Sequence, residues 1–140
     1  MPSRLGALAG RYILTRLLGE DEAVSTFEGL DSQQDWSVLI KLLPKALSDD
    51  PARQQKLERL VERLTALDHP NILSIVEAGL EEDVPYLIAQ GIAATPLAEK
   101  LGQTWDVEQV AHIMAQAGEA LTHAYRQGVI HGRLTPQNLL

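Results

Sequence analysis

Five short runs rich in β-branched and aliphatic residues lie before Gly91, with a single helical stripe set between the third and the fourth. The runs are Arg11 to Leu18, Val24 to Leu30, Trp36 to Leu43, Ile72 to Ala78 and Pro85 to Ala89. Each is short and bounded by turn residues, so each reads as a strand. The polar turn Asp31-Ser32-Gln33-Gln34 and the acidic turn Glu81-Glu82-Asp83 are too short for a crossover, which makes the strands they join antiparallel. Gly19 ends the first run. Between the third and fourth runs, Asp50 can cap a helix and Pro51 suits its first position. Leu57, Leu60, Val61, Leu64 and Leu67 then form one apolar stripe, which predicts a helix packed permanently onto the sheet.

After Gly91 only helical patterns remain. Pro96 to Leu101 fits a short helix and Val107 to Gln127 a long one. Asp106 is placed to cap the long helix, Gln109 to complete a capping box, and Trp105 to staple against Val110. Gly128 stands where a left-handed C-cap belongs. Val107, Val110, Met114, Ala117, Leu121 and Ala124 are the expected core positions of this helix. Strands first and helices later make the fold α+β: a five-stranded antiparallel sheet with one helix, followed by further helices.

Charge and composition narrow the partners. The 140 residues suffice for one domain with a moderate core. Nineteen acids against twelve bases give a formal charge of −7, which argues against a nucleic-acid or anionic-membrane surface. The absence of cysteine excludes disulfides and thiolate metal sites and fits a reducing compartment. No run approaches the roughly 18 apolar residues of a membrane span, and Met1 to Leu5 lacks the core of a signal peptide. The expectation is a soluble, cytoplasmic chain.

Five short motifs follow one another in a telling order. They are Trp36-Ser37-Val38-Leu39-Ile40-Lys41, His69-Pro70-Asn71-Ile72, Pro85-Tyr86-Leu87-Ile88, Gly128-Val129-Ile130-His131 and His131-Gly132-Arg133-Leu134-Thr135-Pro136-Gln137-Asn138. They resemble, in turn, the V-A-I-K strand, the H-P-N-I turn, the strand before the hinge, the entry to the catalytic loop, and the H-R-D-L-K-P-E-N loop of protein kinases. The resemblance covers about residues 11–140 and looks most like bacterial Ser/Thr kinases. It implies a lead-in over 1–10, a small lobe and hinge over 11–92, and a partial large lobe over 93–140 that ends at the catalytic loop.

By family position, Gly19 and Lys41 would contact the phosphates of ATP, and Asn138 would hold a magnesium ion. The other chemical positions depart from the family. The base Asp is Arg133, and a guanidinium cannot accept a proton at accessible pH. The loop lysine is Thr135 and the preceding Arg is Gly132. Asp21 and Val24 replace two glycines of the phosphate loop, leaving the acidic run Glu20-Asp21-Glu22 where anions would lie. Nine residues before His69, where the family has the glutamate that pairs with the lysine, stands Leu60. Glu58 and Glu62 are each two positions away, about 200° around a helix. Lys41 is then expected to snorkel. Leu39 and Thr26 replace the small and branched residues of the adenine roof, a change that fills it, while Ala89 occupies the gatekeeper position.

These departures predict no intact catalytic residue and a pseudokinase acting as a regulatory or protein-interaction module. The alternative is a divergent Ser/Thr protein kinase domain that binds ATP and transfers phosphate when completed by downstream sequence carrying the D-F-G motif. ATP and magnesium are cofactors only under that alternative. A protein partner, or the remainder of a longer chain, is expected to cover the helix over 107–127. His69 and His131 fall at structural positions of the family, and His112 and His123 lack ligand spacing, so no metal is assigned to the histidines.

Overall fold

The computed structural model describes residues 6–21, 23–92, 95–132, 134 and 138–140. The chain divides into two compact units, one of residues 1–65 and 74–92, the other of residues 66–73 and 93–140.

The first unit is an antiparallel sheet with one helix. Its strands are β1 (Ala7–Leu8), β2 (Tyr12–Asp21), β3 (Val24–Asp31), β4 (Trp36–Leu42), β5 (Ile75–Glu81) and β6 (Val84–Gln90), in the spatial order β1-β2-β3-β4-β6-β5. The five expected strands are all present. The sheet has six rather than five, because left-handed Ala9 and Gly10 turn the lead-in back so that Ala7 and Leu8 pair with Ile13 and Tyr12. An edge strand offers a row of unpaired backbone groups, and β1 pairs with the first two residues of β2, Tyr12 and Ile13. Nor does β2 stop at Gly19: that residue stays extended opposite Thr26, and the ladder runs on to Asp21.

Alternate side chains of these strands meet on one face. Leu8, Tyr12, Leu14, Phe27, Val38, Ile40, Tyr86 and Ile88 form the buried cluster. Beside it lies a polar network. Arg11 grips the fully buried Asp31, and Glu77 accepts hydrogen bonds from the hydroxyls of Tyr12 at 2.7 Å and Tyr86 at 3.3 Å. The β5–β6 connection places both Glu82 and Asp83 at positive φ, which closes the hairpin in two residues.

Helix α1 (Pro51–Thr65) starts where expected, with the Asp50 carboxylate accepting from the backbone N–H of Arg53 at 2.9 Å. Its packing differs from the expectation. No residue of α1 is buried; Gln54, Leu57, Val61 and Leu64 are half-buried, and Leu60 is 45% exposed. The contact face is narrower than the sequence stripe, and Leu60 lies to one side of it.

The second unit holds a 3-10 turn (Leu97–Lys100), where a short helix was expected, and the long helix α2 (Val107–Arg126). The capping box of α2 is formed: Gln109 N donates to Asp106 Oδ1 at 2.7 Å, and Asp106 N donates to Gln109 Oε1 at 3.1 Å. Gly128 follows at φ 78, the left-handed cap. The Trp105 indole donates to Lys100 O at 3.2 Å, while Val110 is exposed, so the expected staple is replaced by a tie to the preceding turn. His69, from the 66–73 segment, lies with its ring centroid 5.2 Å from that of His123.

Four of the six expected core positions of α2 are exposed. Ala124 is buried and Ala117 half-buried, but Val107, Val110, Met114 and Leu121 are exposed. The packed face is instead Ile113, Gln116, Ala117, Ala120, His123 and Ala124. The packed face is rotated around the helix from the expected stripe and overlaps it only at Ala117 and Ala124. Among the described residues, no helix is long and apolar enough to cross a membrane.

Candidate functional site

The site residues named from sequence fall in both units, and each set is described within its own. In the sheet, Lys41 sits on β4 between Thr26 of β3 and Leu87 of β6, as the antiparallel register dictates. Leu39, two residues earlier, points to the same face and pairs with Ala89. Leu39 is only 5% exposed, and Leu87 and Ala89 are also buried, so an aliphatic surface surrounds the base of the lysine. The Lys41 side chain is half-buried, not extended into water as snorkelling would have it. Burial pushes its ammonium pKa down, and no described carboxylate opposes that shift.

The β2–β3 hairpin forms the neighbouring edge. Asp21 pairs with Val24, so the strands are joined by two residues, of which Glu22 lies outside the described set. Gly19 has ordinary extended geometry, and a Cβ built there would meet nothing within 4 Å. Its lack of a side chain therefore relieves no crowding within this chain. Glu20 lies one pair closer to the turn and accepts a hydrogen bond from the Ser25 hydroxyl at 3.0 Å.

Leu60, at the position that resembles the lysine-pairing glutamate, is on α1 with Glu58 and Glu62 both exposed beside it. Leu60 joins Ala46, Leu47, Arg53, Lys56 and Leu57 around an open groove of about 500 Å³. Sequence reasoning did not find this groove, because it depends on the 3-10 turn Lys45–Leu47 folding beside α1.

In the second unit, His131 and Asn138 are described, and both engage other groups. Leu97 N donates to Leu139 O at 2.7 Å, which anchors the end of the loop to the 3-10 turn. Arg133 and Thr135, the replacements at the base and lysine positions, lie outside the described residues, as do Pro136 and Gln137. Among the described residues there is no group of three His, Cys, Asp or Glu side chains able to hold a metal.

A family model described as the protein kinase domain matches residues 12–140. The serine/threonine-protein kinase PrkC of Bacillus subtilis is 27% identical over 135 residues, covering 95% of this chain and 21% of the relative. PknH of Mycobacterium tuberculosis is 28% identical over 141 residues, covering 99% of this chain and 22% of the relative. The chain thus spans about a fifth of the length of these two relatives. A crystal structure of the Mycobacterium tuberculosis PknI kinase domain aligns with a TM-score of 0.75 at 20% identity, over 96% of this chain and 56% of that one. At that identity the structural likeness speaks for the fold.

Proposed function

The chain belongs to the protein kinase family, and from that premise we propose that it is a kinase-fold module that does not transfer phosphate and instead serves as a regulatory or protein-interaction element. The observation that carries this reading is Lys41, half-buried with its pKa lowered and no described carboxylate beside it. Phosphoryl transfer depends almost entirely on positioning and electrostatics, and the lysine–glutamate pair is one of its fixed parts. Here the partner position is an exposed leucine, Leu60.

Three further features support the same reading. Arg133 at the base position removes general-base assistance, an effect worth about 10²–10⁴-fold. The buried Leu39 opposite Ala89 fills the roof where a purine ring would slide. Glu20 and Asp21 set negative charge at the edge where phosphates would rest.

A second reading is a divergent Ser/Thr protein kinase domain that binds ATP once further sequence completes it. It draws on the Ser/Thr kinase names of the relatives and on the retained Gly19, Lys41 and Asn138. A thermal-shift titration with ATP and Mg²⁺ separates the two on nucleotide binding, because a ligand bound only by the folded state must stabilise it, by about 2.7 kcal/mol at one hundred times Kd. No shift at millimolar nucleotide is the result expected of the first reading; a saturable shift that Lys41→Met removes would favour the second.

A further inference from the structure

Residues 66–73 belong to the second unit although they lie in sequence between α1 and β5 of the first. They therefore bound two of the three places where the chain passes from one unit to the other. Within this segment Leu67 is buried and His69 half-buried. The His69 ring lies against that of His123 on α2, with centroids 5.2 Å apart and planes tilted by 42°.

Two details fix the protonation state in which that contact is made. His69 Nδ1 accepts from the backbone N–H of Asn71 at 3.0 Å, so the single proton of the ring is on Nε2. His123 Nε2 is buried and, among the described residues, has no hydrogen-bond partner. A neutral ring can leave that nitrogen as a bare acceptor. A protonated ring would bury an N–H bond with nothing to receive it, which costs far more.

We propose that His69 and His123 form a pH-sensitive latch, which holds residues 66–73 on α2 while both rings are neutral and releases them when the rings are protonated. Imidazole changes charge between about pH 5 and 8, so the latch works in a physiological range. A protonated His69 has two donors and no acceptor, so it loses the bond from Asn71. Protonating both rings sets two like charges about 5 Å apart, and a proton on His123 Nε2 finds an acceptor only once the ring is freed. Docking is thus present at neutral pH and lost as pH falls.

The surrounding charges do not decide the outcome. Glu119 and Arg126 of α2 line the same hollow as the two rings, and Asp68 is beside His69 in the chain. Glu119 and the C-terminal end of α2 favour a charged His123, while Arg126 opposes it. All of these act on His123 from its own helix, and Asp68 acts on His69 from its own segment, whether the segment is docked or free. What docking adds is the second imidazole, and that addition favours the neutral rings. The proposal holds whether or not the chain transfers phosphate.

Hydrogen exchange of the full 140-residue chain at pH 7.5 and pH 5.5, corrected for the intrinsic rate, tests it. Protection within residues 66–73 is expected to fall at least tenfold at the lower pH, while β3 and β4 keep theirs. His123→Phe keeps a ring that cannot be protonated and should hold the segment equally at both pH values. His69→Asn keeps an acceptor for the N–H two residues on, in an Asx turn, and should also flatten the dependence; it carries the comparison if Phe at 123 impairs folding. His112→Gln, at an exposed position of the same helix, should leave the dependence as it was. Equal protection of residues 66–73 at both pH values overturns the proposal. So does a fall shared by β3 and β4, or one that persists in both His123→Phe and His69→Asn.

Discussion

Arg11 holds Asp31 by two parallel hydrogen bonds, Nε to Oδ1 at 2.9 Å and Nη2 to Oδ2 at 2.6 Å, with the aspartate wholly removed from solvent. The Asp31 carboxylate also accepts from the backbone N–H groups of Gln33 and Gln34, so one side chain joins β2 to the turn after β3. The Arg11 guanidinium, foremost, holds the Asp31 carboxyl down to about 2. A carboxylate whose pKa is depressed on folding adds stability that is fully present above its unfolded pKa. That stability is lost as pH falls from near 3.8 toward about 2. Asp31→Asn should lower the melting temperature at pH 7 and flatten its decline in this acid range. A melting curve series from pH 6 to pH 2 on both proteins reads the difference.

Lys41 should show the opposite dependence. Its pKa is lowered by burial, so the folded state bears a charge it disfavours until the ammonium deprotonates. That cost is present below the folded pKa and is relieved as pH rises toward 10.5. A fully buried unpaired group costs about 1–3 kcal/mol, so Lys41→Met, at a half-buried site, should stabilise by at most about 1 kcal/mol. Urea denaturation at pH 7 and pH 10 checks both the sign and its loss at high pH.

Gly29 is required by packing. A Cβ there would lie 2.5 Å from Ile40 Cδ1 and 2.7 Å from the backbone O of Ile13. The isoleucine can turn but the carbonyl of the neighbouring strand cannot. Overpacking of this kind costs about 1–3 kcal/mol, and Gly29→Ala is expected to fall in that range by chemical denaturation.

Leu60→Glu would put back the family's acidic residue on α1. Leu60 is exposed, so the substitution should change stability by no more than about 0.5 kcal/mol. It should not by itself produce phosphate transfer, because Arg133 still occupies the base position. A melting curve and a transfer assay on the single variant check the two statements.

The sequence made the strands and helix ends legible where local chemistry decides them. Asp50 before Pro51, the Asp106–Gln109 box and Gly128 each satisfy backbone groups within a few residues, and each is found in place. The order of motifs from Val38 to His131 was enough to name the family now matched over residues 12–140. Burial was less legible, because it depends on partners far along the chain. Leu60 and Met114 fit apolar stripes on a wheel, yet tertiary packing uses only part of the stripe on α1 and an overlapping, rotated face on α2. The two-residue strand at Ala7 and the groove beside Leu47 and Leu57 carry no periodic signal of their own. For the catalytic positions the family pattern supplied the roles, and the residue types at 133, 135 and 60 supplied the departures.

The most direct measurement is phosphate incorporation from labelled ATP, with Mg²⁺ and separately with Mn²⁺, comparing the chain with its Lys41→Met variant and using a general protein substrate as well as autophosphorylation. A kinase fold without its lysine partner or its base should give incorporation no higher than the Lys41→Met background with either metal. Incorporation that is well above that background and vanishes with Lys41→Met would contradict it.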